Sequence, residues 1–176
     1  FSVLHKGHRF GTYETRLVGE HNLYNQVAAV AALEANGIES SEFREGFKSY
    51  RGIKRRQEII GEPGGVTVVD DFAHHPTAVK LTLEALRLRF GGRRIWAIFE
   101  PRSNTSRRNV FQEAYASAFG ACDFAIIAPP QNTTNIPEEE RFVATRLVSD
   151  LRQNGLEAFC WVLAPDGTAL DAELGS

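Results

Sequence analysis

From residue 66 onward, short apolar β-rich runs alternate with longer stretches of helical period, and that alternation leaves few folds open to the 176-residue chain. Val66-Thr67-Val68-Val69, then Arg94 to Phe99, Asp123 to Ala128 and Leu156 to Leu163, read as strands. Between them, helices are expected from Pro76 to Phe90, near Arg108 to Phe119 and from Glu138 to Gln153. Val79, Leu83, Leu86 and Phe90 fall on one face of the first. Strands joined by crossovers of this length run parallel, so the prediction is an α/β fold whose mostly parallel sheet carries helices on both faces. A β-hairpin begins it, from Gln57 to Gly61 and Val66 to Asp70, around Pro63-Gly64-Gly65.

The first third of the chain is patterned differently. Phe1 to Leu4 and Phe10 to Val18 read as a hairpin turning at Lys6-Gly7. An alanine-rich helix is expected from Asn22 to Asn36, with Leu23, Val27, Val30 and Ala31 at helical spacing and a stop at Gly37. Ser40 or Ser41 is expected to cap a short second helix carrying Phe43 and Phe47. Tyr50-Arg51-Gly52-Ile53 then divides a first domain, 1–52, from a second, 53–176. The chain has no methionine, opens in mid-strand and stops at Leu174-Gly175-Ser176 shortly after a strand, which reads as a piece of a longer protein.

Composition excludes some functions. A net charge of −2 and a pI near 6.2 give no general attraction to nucleic acid or anionic membrane. No apolar run approaches the roughly eighteen residues of a spanning helix. Cys122 and Cys160 sit in or beside apolar runs, as buried thiols of a reducing compartment do.

Four polar clusters lie at strand ends or helix starts. Asp70-Asp71-Phe72-Ala73-His74-His75-Pro76 places two carboxylates and two imidazoles at the end of a strand expected to be buried, where open α/β sheets keep their ligands. The same residue types suit a ligand-contacting loop, a divalent-metal site or a hydrogen-bonded turn with a helix cap. Glu100-Pro101-Arg102-Ser103-Asn104-Thr105 occupies the equivalent place one strand further on. Asn22 and Asn25 share a helix face and offer carboxamides that match an adenine edge, although Asn22 also suits a helix N-cap. Lys54-Arg55-Arg56 matches phosphate oxygens, or is a solvated basic edge. The chain contains no Gly-x-x-x-x-Gly-Lys-Ser/Thr loop, so a phosphate cradle would have to lie outside it.

Together these segments resemble a family. Gly19-Glu20-His21-Asn22-Leu23-Tyr24-Asn25-Gln26-Val27-Ala28-Ala29 is similar to a Gly-x-His-Asn-x-x-Asn-x-x-Ala-Ala segment of the Mur ligases, the ATP-dependent ligases of peptidoglycan precursors. Gly52-Ile53-Lys54-Arg55-Arg56-Gln57-Glu58 resembles the start of their C-terminal domain. Asp70 to Ala78, followed by Glu100 to Thr105, resembles the murein-peptide branch of that family, which acts in cell-wall recycling.

The resemblance implies a bacterial, cytoplasmic, three-domain enzyme. Residues 1–52 would end its central ATP-binding domain, and 53–176 would form a Rossmann-like C-terminal domain lacking its last strand. The UDP-binding and phosphate-loop parts would precede this chain in the same polypeptide, so the chain alone is expected to be inactive. It implies ATP and Mg²⁺, the latter held mainly outside this chain, and ligation of UDP-N-acetylmuramate to the murein tripeptide L-alanyl-γ-D-glutamyl-meso-diaminopimelate through an acyl phosphate. Carried over by position, Asn22 and Asn25 meet adenine with His21 adjacent, Arg56 reaches the phosphates and Asp71 the ribose. His74 and His75 line the cleft near the peptide, and Arg102, Ser103 and Asn104 hold it. Two rivals are a sister ligase that adds L-alanine and a metal-dependent hydrolase using Asp70, Asp71, His74 and His75.

Overall fold

In the computed structural model, which describes residues 1–163 and 169–171, the chain divides into two compact units, Phe1–Phe72 and a second beginning at Ala73. The division falls inside the Asp70–Pro76 segment.

The first unit opens with the antiparallel pair β1 (Ser2–His5) and β2 (His8–Thr12), turning at Lys6 and Gly7, both at positive φ. The strand expected to run to Val18 stops at Thr12, although the Tyr13 backbone still exchanges two hydrogen bonds with Phe1, both at 2.9 Å. Tyr13 turns into the core instead. Its ring stacks on Phe43 at 5.7 Å and meets Phe47 and Phe1, while its hydroxyl donates to Ser40 Oγ at 3.1 Å. Gly11 is required beneath that ring, since a Cβ there would stand 2.5 Å from the Tyr13 hydroxyl. Helices α1 (Glu20–Ala35) and α2 (Ser40–Ser49) follow. The α2 cap is Glu39 rather than a serine. The Glu39 N–H donates to Glu42 Oε1 at 2.9 Å, a reach-back that satisfies an orphan donor, and Ser40 is left to serve Tyr13.

β3 (Glu58–Gly61) and β4 (Val68–Asp70) form a separate two-stranded antiparallel sheet joined through a 3₁₀ turn at Pro63–Gly65. The Val66 run is therefore not a buried strand of the parallel sheet, and Val66 is 64% exposed. Among the described residues the partner of β4 is β3 alone, and Val68 is exposed beside Val66.

The second unit carries the four-stranded sheet, in the order β5 (Trp96–Phe99), β6 (Phe124–Ile127), β7 (Glu157–Leu163), β8 (Ala169–Asp171). β5, β6 and β7 are parallel and in register, and β8 returns antiparallel. The expected α/β fold is present. β8, a three-residue strand, was not anticipated, and the predicted ending at Leu174-Gly175-Ser176 lies outside the described residues.

Helices α3 (Pro76–Phe90), α4 (Gln112–Ala116) and α5 (Ala144–Gln153) supply Val79, Leu83, Tyr115, Leu147 and Leu151 to one core with Phe99, Ala125, Ile127, Ala158 and Cys160 of the sheet. Residues of the opposite alternation, Trp96, Ile98 and Phe124, form an apolar face that the described residues leave largely open, with Ile98 64% exposed. Helices on both faces are thus not what the described residues show. Trp96 and Phe124 instead stack on each other at 4.2 Å across neighbouring strands.

Two helices are shorter than their periodicity predicts, for one reason. Where the pattern runs on, the backbone has found distant partners. The Phe142 N–H donates to the Arg107 carbonyl at 2.9 Å, and Val143 exchanges two hydrogen bonds with the buried Gln112 side chain. These bonds hold 141–143 extended, so α5 begins at Ala144 and Glu138–Glu140 is only a 3₁₀ turn. Asn109, bonded to the Glu139 carbonyl at 2.7 Å, likewise restricts Asn109–Phe111 to a 3₁₀ turn ahead of α4.

Candidate functional site

The predicted site residues fall into two groups, one in each unit. In the first unit, Gly19 at φ 103° turns the chain into α1. Asn22 lies one turn in and spends its amide nitrogen on the Val18 carbonyl at 2.8 Å, the local bond of a helix start. Its neighbour on the same face, Asn25, is exposed. His21 has a buried Nδ1 with no hydrogen-bond partner, and its Nε2 lies 3.4 Å from the Gln57 amide nitrogen.

Gln57 is one residue that sequence reasoning missed. Its backbone N–H donates to Asp71 Oδ2 at 2.8 Å, so one residue touches both the start of α1 and the end of β4. It adopts φ 50°, a left-handed conformation for which glutamine has no preference, and no local pattern announces it. Arg55 lies 3.3 Å from Asp70 Oδ2 and 4.9 Å over the Phe72 ring. Arg56, between Arg55 and Gln57, is exposed and makes no hydrogen bond or ion pair among the described residues. Of the basic triplet's two arginines, it is the cation left available to an anion.

In the second unit, His75 is the N-cap of α3. Its Nδ1 accepts from the Thr77 N–H at 3.3 Å, and its ring packs edge-on against Phe111 at 4.5 Å. An accepting Nδ1 puts the proton of the neutral ring on Nε2. The His74 carbonyl is held by the Tyr115 hydroxyl from α4. Tyr115 is fully buried against Phe99 and Phe142, and burial pushes its phenol up to about 12, so it stays a donor.

Arg102, Ser103 and Asn104 follow one another in the loop after β5. Arg102 pairs through Nε with Glu100 at 2.8 Å, an exposed pair whose hydrogen bond raises the guanidinium pKa further. The Ser103 hydroxyl is committed to the loop itself. It bonds the Ser106 hydroxyl at 2.8 Å and accepts from the Ser106 N–H at 3.0 Å. Ser106, fully buried, also accepts from the Ser103 N–H at 2.9 Å. Asn104 Oδ1 accepts from Arg107, whose guanidinium also reaches the Asn132 carbonyl in the loop after β6. Ser106, Arg107 and Asn132 escaped the sequence reading because their partnerships are made by the fold.

Among the described residues, no three histidine, cysteine, aspartate or glutamate side chains gather to hold a metal ion, and no helix is long and apolar enough to cross a membrane. Both cysteines are buried and unbridged.

Comparison with known proteins gives these loops a context. Residues 55–164 match the family described as Mur ligase, glutamate ligase domain. The chain is 39% identical over 150 residues to a UDP-N-acetylmuramate–L-alanine ligase of Roseiflexus sp. (strain RS-1), covering 84% of this chain and 31% of that protein. It is 38% identical over 156 residues to the UDP-N-acetylmuramate–L-alanyl-γ-D-glutamyl-meso-2,6-diaminoheptandioate ligase of Escherichia coli (strain K12), covering 88% and 34%. A crystal structure of a murein peptide ligase from Psychrobacter arcticus superposes with a TM-score of 0.60 at 30% identity, covering 84% of this chain and 30% of that one. The chain therefore spans about a third of the length of the relatives it matches.

Proposed function

This chain belongs to the Mur ligase family, and we propose that it supplies part of the ATP site and the peptide-binding end of a longer enzyme that joins UDP-N-acetylmuramate to L-alanyl-γ-D-glutamyl-meso-diaminopimelate. The observation that carries this reading is the pair of polar segments, Asp70 to Ala78 and Glu100 to Thr105, which in residue type and order resemble the murein-peptide branch. The 38% identity to a ligase named for that tripeptide supports it. In the proposed enzyme, 1–52 ends the central ATP-binding domain and 53–176 forms the C-terminal domain, with the UDP-binding and phosphate-loop parts upstream.

The proposed reaction is amide ligation. A carboxylate oxygen of the muramic acid attacks the γ-phosphorus and ADP leaves. The peptide's amine then attacks the acyl carbon, loses a proton, and phosphate departs from the tetrahedral intermediate. Asn22 and Asn25 would read the adenine with His21 beside them, and Asp71, steadied by the Gln57 N–H, would take the ribose diol. Arg56 would place its unpaired charge on the phosphates, where a fixed cation stabilises the charge that develops. His74 and His75 would line the amine's approach, His75 presenting an Nε2–H donor. Arg102, Ser103 and Asn104 would hold the peptide. The described residues build no protein cage for Mg²⁺, so no step here is assigned to it.

A second reading keeps the chemistry and changes the amine, since a relative of 39% identity is named as an L-alanine ligase. Family membership counts against the metal-dependent hydrolase. The test is ADP release by the full-length polypeptide supplied with UDP-N-acetylmuramate, ATP and either amine. A kcat/KM for tripeptide at least about tenfold above that for L-alanine is expected, and the reverse preference would overturn the tripeptide reading. The 176-residue chain alone should release none.

A further inference from the structure

Three arginines follow β5, and two of them have their charge matched. Arg102 is paired with Glu100 and Arg108 with Glu140. Arg107 is held only by neutral oxygens. Its Nη2 donates to Asn104 Oδ1 at 2.6 Å and its Nη1 to the Asn132 carbonyl at 2.8 Å. Its Nε is buried with no hydrogen-bond partner, and it forms no ion pair among the described residues. Neutral acceptors orient a guanidinium without cancelling its charge, so the loop keeps one uncompensated cation.

The contact also decides how Asn104 is turned. Were its amide flipped, an NH₂ group would face the guanidinium, donor against donor. Oδ1 must therefore face Arg107, and Nδ2 presents its two donors on the other side of an exposed residue. Outward donors beside an unmatched positive charge are what a carboxylate binds. Arg107 sits on a braced backbone as well. Its N–H donates to the Ser103 carbonyl at 3.1 Å and its carbonyl accepts from Phe142 at 2.9 Å.

We propose that Asn104 and Arg107 form a carboxylate-recognition pair on the loop after β5. Asn104 Nδ2 makes the contact, and Arg107 is the positioning residue that fixes the amide and supplies the charge. The group recognised is a carboxylate of the amine substrate, an assignment that rests on the ligase reading above.

The test uses the full-length enzyme with the tripeptide and two derivatives, each with a carboxylate of the D-glutamyl or the diaminopimelyl residue converted to an amide. Asn104→Asp keeps an acceptor for Arg107, so its melting temperature should not fall. Its outward donors are gone, and KM for the tripeptide should rise by about tenfold or more. Arg107→Gln should raise KM similarly and reduce the enzyme's preference for tripeptide over one of the two amides by about tenfold. Arg107→Lys, which keeps the charge without the fork, should fall between. If Arg107→Gln fails to fold, Asn104→Asp and Arg107→Lys decide the matter. Unchanged tripeptide KM and acid-to-amide preference in folded variants would overturn the pair. If Arg102→Lys raised tripeptide KM while those variants did not, the pair would fall and the ligase reading would stand. A wild-type enzyme without tripeptide-dependent ADP release would sink both.

Discussion

Asp123, the residue before β6, joins α3 to the first strand of the sheet, and its removal should be costly despite its 40% side-chain exposure. One oxygen, Oδ2, accepts from Arg87 Nη2 and from the Ile95 N–H, both at 2.7 Å. Arg87 in turn donates to the carbonyls of Ala121, Gly91 and Arg93. Asp123→Ala removes both of the oxygen's bonds. The Ile95 N–H, beside a core residue, loses its acceptor at about 1–2 kcal/mol. The half-exposed ion pair adds no more than about 1 kcal/mol, because water screens it. The expected loss is about 1–3 kcal/mol, or roughly 2–12 °C in melting temperature for a chain of this size. Asp123→Asn keeps a neutral acceptor for Ile95 and should lose only about 1 kcal/mol.

The pH dependence follows from the same bonds. Arg87 and the Ile95 N–H hold the Asp123 carboxyl below its usual range. A depressed native pKa contributes stability that is complete above the unfolded value, near about 4, and is lost as pH falls through the native value. Urea unfolding at pH 7 should therefore separate wild type from Asp123→Asn, and the gap should close below about pH 4. An Asp123→Ala variant within about 0.5 kcal/mol of wild type at pH 7, or a gap that widens in acid, would refute the reasoning.

Three further outcomes are expected. Gly11→Ala should destabilise the first unit by about 1–3 kcal/mol, because its Cβ would displace the Tyr13 ring; thermal melts read the loss, and an unchanged melt would mean the ring yields freely. Gln112→Ala should cost about 2–3 kcal/mol by stranding the Val143 N–H and carbonyl, and amide exchange at Val143 should accelerate with it. In the full-length enzyme, Asp71→Ala should raise KM for ATP by the equivalent of about 1.5–3 kcal/mol while tripeptide KM stays put. Equal shifts in both constants would remove Asp71 from the ribose.

What the sequence disclosed depended on how local the cause was. α3 was legible to the residue, since Pro76 opens it and Gly91 at φ 46° closes it. The three parallel strands were legible because their apolar runs are short and flanked by polar residues. The helix before Phe119 and the helix after Glu138 were read too long, because Gln112 and Val143 stand 31 residues apart and their exchange leaves no trace in either local pattern. The site followed the same rule. Arg102, Ser103 and Asn104 stood out by type, whereas Arg107 passed as one more basic residue until Asn132 came alongside it. His75 reads in the sequence as a site residue, and what the structure shows it doing is hold the first turn of a helix.

The loop after β5 is braced from within by Ser103 and Ser106 and from outside by the Arg108–Glu140 pair, while Arg102 and Thr105 project from it exposed. That division has an evolutionary consequence. Substitutions at exposed positions away from such braces typically change stability by less than about 0.5 kcal/mol, so a lineage can revise them without first acquiring compensating changes in the core. If this loop holds the amine substrate as proposed, the amine accepted can drift while the frame stays unchanged. Relatives of 39% and 38% identity to this chain are named for different amines, a free alanine and a tripeptide, which is the divergence such a frame permits.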